Sequence, residues 1–154
     1  MAIRAKTKVK TRLEATCPNH ARSDISIRDL VVTIDEPVER GGSNLGASPT
    51  ETTLASLIGC TNVIGHKCAA KLGLDIGHLR ISVVCDFDRR GVTLAEEIAV
   101  PFERIELTVE ADGNVSNADL ARLSAEVAKY CPVSKLFRQA GTEIVETWRV
   151  REPA

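Results

Sequence analysis

The chain is poor in aromatic residues: one tryptophan, one tyrosine and three phenylalanines, 3% of 154 residues. That leaves no row of rings on which unstacked bases could sit. There is no excess of positive charge either. Twenty Lys and Arg stand against twenty-one Asp and Glu, a net charge of -1, so the basic footprint of a nucleic-acid binder is missing. No apolar run reaches the length of a membrane-spanning helix. Met1 to Lys10 carries charge without the apolar centre of a secretory signal, which points to the cytoplasm. The five cysteines, Cys17, Cys60, Cys68, Cys85 and Cys131, form an odd set with no CxxC pair. A disulfide-stapled secreted fold is therefore a poor reading, and free thiols with room for one functional pair are expected.

What is present is ordinary for a globular chain: 44% hydrophobic and 27% charged residues. The length suits one domain over residues 1–154, with a core that needs no staples. The chain is organised around one stretch, Ser48 to Leu72. Ser48 can cap a helix, Pro49 fits its first position, and Glu51 completes a capping box. Leu54, Leu57, Ile58, Thr61, Ile64, Cys68 and Leu72 recur at three- and four-residue steps, giving a helix with one apolar face. Gly73 supplies the stop.

Strands flank this helix. Val9 to Cys17 alternates as a half-buried strand, with Cys17 on the inward register. A turn at Pro18–Asp24 precedes two more strands, around Ile25–Ile27 and Leu30–Ile34, with a bulge or break near Asp29. Leu79 to Phe87 alternates most cleanly and places Cys85 inward, and a further strand follows Pro101. A second helix from Ser116 to Tyr130 has its own capping residues, Ser116 and Asp119. Pro132 disfavours helical geometry at Cys131, so a third, short helix starts there and ends at Gly141. Ile144 to Val150 is the last strand. Strands and helices come in blocks, so the class is α+β.

Other chemistry finds little support. Gly41-Gly42-Ser43-Asn44-Leu45-Gly46 is a flexible connector and lacks the Lys-Ser/Thr of a phosphate loop. Cys17 with His20, and His66 with Cys68, each offer two metal ligands, but neither completes a zinc pattern. No Ser-His-Asp arrangement is legible. No cofactor and no metal are expected.

The thiols carry the remaining interest. Cys60 lies at the edge of the apolar helix face among Ser56, Gly59, Thr61 and Asn62, which are small or polar. It is too far along the helix for the dipole to ionise it, so a reactive thiolate there needs a nearby cation. Cys131 stands where the third helix begins, next to unpaired N–H groups. Taken singly, each is better read as a small core residue.

Asp35-Glu36-Pro37, Gly41-Gly42, Ser48-Pro49-Thr50-Glu51 with Cys60 nine residues later, and Cys131-Pro132-Val133-Ser134 together resemble the OsmC/Ohr family. These are the osmotically induced protein C and organic hydroperoxide resistance proteins. The resemblance runs from about Val31 to Trp148. It implies an OsmC-like fold, with small antiparallel sheets around a long central helix, in an intertwined homodimer. It implies thiol-dependent reduction of organic hydroperoxides in oxidative stress defence. Cys60 would be the peroxidatic cysteine and Cys131 the resolving one, reset by a dithiol or a lipoylated protein. The family also uses a glutamate and an arginine beside the first cysteine. The usual acid position here is Thr50, with Glu51 one residue later, and the arginine is Arg22 or Arg28, with Arg22 preferred. A dimeric binding or redox-sensing module without robust turnover is the other reading, and Thr50 favours it.

Overall fold

A computed structural model describes residues 6–153. The elements are β1 (Glu14–Thr16), β2 (Ser23–Ile27), β3 (Leu30–Ile34), α1 (Pro49–Leu72), β4 (Leu79–Phe87), β5 (Phe102–Ala111), α2 (Asn117–Tyr130), α3 (Pro132–Gln139) and β6 (Glu143–Val150). This is the α+β class expected, with two three-stranded sheets and three α-helices among the described residues. The chain divides into two compact units, the first running to Thr53 and the second starting at Leu54. Among the described residues no helix is long and apolar enough to cross a membrane.

In the first unit β1, β2 and β3 form an antiparallel sheet. Ile27 pairs with Leu30, so the interruption near Asp29 is a break and not a bulge: Arg28 and Asp29 form a two-residue hairpin turn, and Arg28 lies outside any strand. Its φ of 59° is the left-handed geometry that twisted hairpins require. The alternating Val9–Cys17 segment gives only the three residues of β1, all exposed. Cys17 is likewise exposed, with Sγ 3.4 Å from Ser23 Oγ, and is no core thiol. Alternation predicts two faces, but a face is buried only where another layer covers it.

The glycine-rich connector is not flexible in the way its composition suggests. Asp35 is fully buried and its carboxylate accepts three backbone N–H groups: Glu36 at 2.8 Å, and Ser43 and Leu45 at 3.1 Å each. The Leu45 N–H above all holds this carboxyl below its ordinary value. The loop that leads into α1 is thus pinned from its centre.

Helix α1 starts as expected. The Ser48 N–H donates to Glu51 Oε2 at 2.8 Å, and the Glu51 N–H donates to Ser48 Oγ at 3.3 Å. It ends at Gly73, whose φ of 69° lets the Leu74 N–H reach back to the Ala69 carbonyl at 2.9 Å.

In the second unit β4 and β5 are antiparallel, whereas β6 runs parallel to β5. This sheet is mixed, where small antiparallel sheets were expected. The reason is the connection: α2 and α3 carry the chain back past the sheet, so the next strand runs in the same direction as β5. The inward residues Ile105, Leu107 and Val109 of β5 share a core with Leu57 of α1, Leu120, Leu123 and Val127 of α2, and Phe137 of α3. Each fully buried leucine here contributes about 1.5–3 kcal/mol.

Candidate active site

Two elements of the second unit meet at a pair of sulfurs. Cys60 rides on α1, half-buried at the edge of its packed face. Cys131 sits at the junction of α2 and α3 and is fully buried. The Cys131 Sγ–H donates to Cys60 Sγ at 3.1 Å, and both thiols are free. That separation is about 1 Å longer than a disulfide bond.

Local sequence explains the position of Cys131. Pro132 forces an extended backbone at Cys131, whose φ and ψ are -69° and 108°. Extended geometry is what a helix N-cap needs. The sulfur takes the cap role: the Ser134 N–H donates to Cys131 Sγ at 3.4 Å. Burial pushes the Cys131 thiol up to about 11, while the Ser134 N–H pulls it down and the neighbouring Cys60 pushes it further up. Cys131 therefore holds its proton at neutral pH and offers it to Cys60.

Behind Cys131 runs a chain of polar contacts. Arg138 Nε donates to Ser134 Oγ at 3.3 Å, and Arg138 Nη2 meets Glu146 Oε1 at 3.1 Å. Glu146 Oε2 in turn accepts from Ser124 Oγ at 3.0 Å and Trp148 Nε1 at 3.1 Å. Sequence reasoning missed these residues. The signal was a glutamate on the inward register of β6, between Ile144 and Trp148, both of them buried.

A cleft of about 400 Å³ is lined by Ile64, Lys67, Cys68, Lys71 and Tyr130, and by neither Cys60 nor Cys131. Ile64 is one turn after Cys60, and Tyr130 directly precedes Cys131. Lys71 Nζ lies 5.0 Å from the Tyr130 ring centre and 2.7 Å from Glu126 Oε1, while Lys129 Nζ holds Glu126 Oε2 at 2.8 Å. Cys68 is buried, and burial raises its thiol, as it does for Cys85.

The other candidates, Arg22, Arg28 and Glu51, belong to the first unit. Arg22 forms an ion pair with Asp24 at 2.9 Å, and Asp24 also accepts from Thr33 Oγ1 at 2.9 Å. Arg28 is exposed in the hairpin turn. Glu51 is engaged with Ser48 in the capping box, whose backbone N–H is the main reason its carboxyl titrates low. Among the described residues, no cluster of His, Cys, Asp and Glu is placed to hold a metal ion.

A family model described as OsmC-like protein matches residues 41–146. Among solved structures, the chain is similar to an OsmC-like protein from Mycoplasma pneumoniae, with a TM-score of 0.78 at 16% identity, covering 95% of this chain and 100% of that one. It is similar to an organic hydroperoxide resistance protein from Elizabethkingia anophelis, with a TM-score of 0.70 at 17% identity, covering 95% and 99%. A third is an organic hydroperoxide resistance protein from Legionella pneumophila, with a TM-score of 0.65 at 15% identity, covering 94% and 100%. At such identities the likeness is one of fold. No curated protein matches the chain in sequence.

Proposed function

Since this chain belongs to the OsmC-like family, we propose that it reduces organic hydroperoxides with its own thiols, in oxidative stress defence in the cytoplasm. The observation that carries this reading is the 3.1 Å contact between Cys60 and Cys131. In the first step the Cys60 thiolate attacks the outer oxygen of the hydroperoxide, the O–O bond breaks, and the alkoxide leaves, taking a proton from water to become the alcohol. The thiol is oxidised to a sulfenic acid. In the second step the Cys131 sulfur attacks the Cys60 sulfur, the hydroxyl departs as water with the Cys131 proton, and a disulfide forms. An external dithiol, free or on a lipoylated protein, then resets the pair by exchange. Cys131 has little to travel, and it already points its proton at the sulfur that will lose hydroxide.

Glu51 and Arg22 are the proposed carboxylate and cation of the site. Each also has a structural partner, Ser48 and Asp24. That double engagement favours the second reading, a dimeric binding or redox-sensing module whose thiols oxidise without rapid turnover.

One experiment separates the two. Wild type should consume cumene hydroperoxide with a dithiol reductant, and Cys60→Ser should not. Cys131→Ser should oxidise once, leaving a trappable sulfenic acid at Cys60. Peroxide loss no faster than in Cys60→Ser, in a protein that is still folded, rejects the enzyme in favour of the module. Glu51→Gln keeps a capping side chain, at a cost of about 1 kcal/mol or less. Loss of turnover in that variant at unchanged stability assigns Glu51 to the chemistry.

A further inference from the structure

We infer that Arg138, held by Glu146, is a positioning residue for Cys131 and sets how fast the disulfide closes. The inference rests on the thiol chemistry proposed above and concerns its second step alone.

The two sulfurs are carried by different elements. Cys60 is fixed by α1, a 24-residue helix. Cys131 is fixed by the first turn of α3, an eight-residue helix that begins at Pro132. A helix this short has little internal stability, so its direction depends on what holds its side chains. Two contacts do so within one turn of the thiol. Ser134 donates its N–H to the sulfur, and its hydroxyl oxygen receives Arg138 Nε. Arg138 is the last charged residue of α3, and its other end meets Glu146 of β6.

Glu146 is a fixed anchor. Its side chain is only 10% exposed, and its second oxygen is held by Ser124 of α2 and by the indole N–H of Trp148. Trp148 is itself buried in the core. The planar guanidinium thus ties the capping turn of α3 to a carboxylate that α2 and β6 hold in place. None of these contacts touches Cys60.

Closure needs the Cys131 sulfur to advance along the line to Cys60 while its proton passes to the departing hydroxyl. That step is sensitive to sub-ångström placement of Cys131. Attack of Cys60 on peroxide is less so, because α1 places Cys60 and α3 reaches it only through the Cys131 S–H. The network should therefore affect the second step and spare the first.

The test uses Arg138→Met, which keeps the aliphatic stem and removes both donors, with Ser134→Ala and Arg138→Lys beside it. Single-turnover oxidation by cumene hydroperoxide is followed by mass spectrometry with dimedone present to trap sulfenic acid. We expect closure to slow about tenfold or more in Arg138→Met, with trapped sulfenic acid at Cys60 rising to match, and sulfenic acid formation to change less than about twofold. Ser134→Ala should move in the same direction. Arg138→Lys, which keeps the charge but replaces the planar two-nitrogen fork with a single ammonium, should fall between. The thiol–disulfide equilibrium of the Cys60–Cys131 pair is also measured against a dithiothreitol buffer, a readout that needs no peroxide. There the disulfide should be disfavoured in Arg138→Met relative to wild type. Unchanged closure and equilibrium in Arg138→Met overturn the inference. So does an equal slowing of both steps, which would mean a general loosening of the fold. If wild type forms neither sulfenic acid nor the Cys60–Cys131 disulfide on adding peroxide, the proposed enzyme fails, and the buffer equilibrium still decides the role of Arg138.

Discussion

At the scale of single residues, neighbours matter more than residue type. Cys60 and Cys131 are both small thiols in apolar settings, yet one is fully buried and carries its proton while the other is half open. Glu126 shows the opposite effect of a neighbour. Two ammonium groups grip its two oxygens, Lys129 first and Lys71 second, and lower its carboxyl from the ordinary 4.5 to about 2. The sign of the consequence follows. A carboxyl depressed in the folded state contributes stability above its unfolded value, and that contribution is lost as pH falls from about 4.5 through about 2. Thermal melts of wild type and Glu126→Gln should therefore differ most near neutral pH and converge as pH approaches the folded value. A gap between the two curves that stays constant from neutral pH down to strong acid would contradict this.

At the scale of elements, the loop between β3 and α1 has the most definite requirements. Its backbone folds around the Asp35 carboxylate so tightly that a Cβ on Gly42 would lie 1.8 Å from the Glu36 carbonyl oxygen. Backbone cannot swing aside as a flexible side chain does. Gly42→Ala should cost about 1–3 kcal/mol, the range for forcing atoms into a packed site, and more if the Asp35 contacts are lost. Denaturant unfolding of the variant checks it, and a change within error of zero would mean the loop is looser than its contacts imply. The same loop sets the entry of α1, whose capping residues Ser48 and Glu51 follow it directly.

At the scale of the whole molecule, the first unit presents an unfinished sheet. Ile25 pairs with Val32, and Ile27 with Leu30, so these four side chains share one face. Leu30 is 52% exposed and Val32 38%. An apolar sheet face left to water invites a second layer. A second copy of the chain, as proposed from the family resemblance, would supply one. The expected result is a stable homodimer in light scattering coupled to size exclusion at micromolar concentration. Leu30→Asp should weaken it, by placing a charge on the face to be covered. A monomeric wild type would remove the dimer from the proposal.

Some of this was legible from residue order alone, and for local reasons. Caps, glycine stops, proline breaks and hydrophobic period act within a few residues, so α1, α2, α3 and the alternation of β4 were read directly. The extended geometry of Cys131 before Pro132 was read the same way. Other features depend on atoms far apart in the chain. The parallel placement of β6 depends on the path of two helices. The burial of Asp35 depends on N–H groups eight and ten residues on, and the exposure of Cys17 on a layer that does not cover it. The contact between Cys60 and Cys131 spans 71 positions. The family resemblance anticipated that pairing, but the spacing of the residues could not. A sulfur–sulfur distance is set by where α1, α2, α3 and the second sheet come to rest against one core. Only the packed tertiary structure decides that position, because burial of side chains brought together from the whole chain sets it.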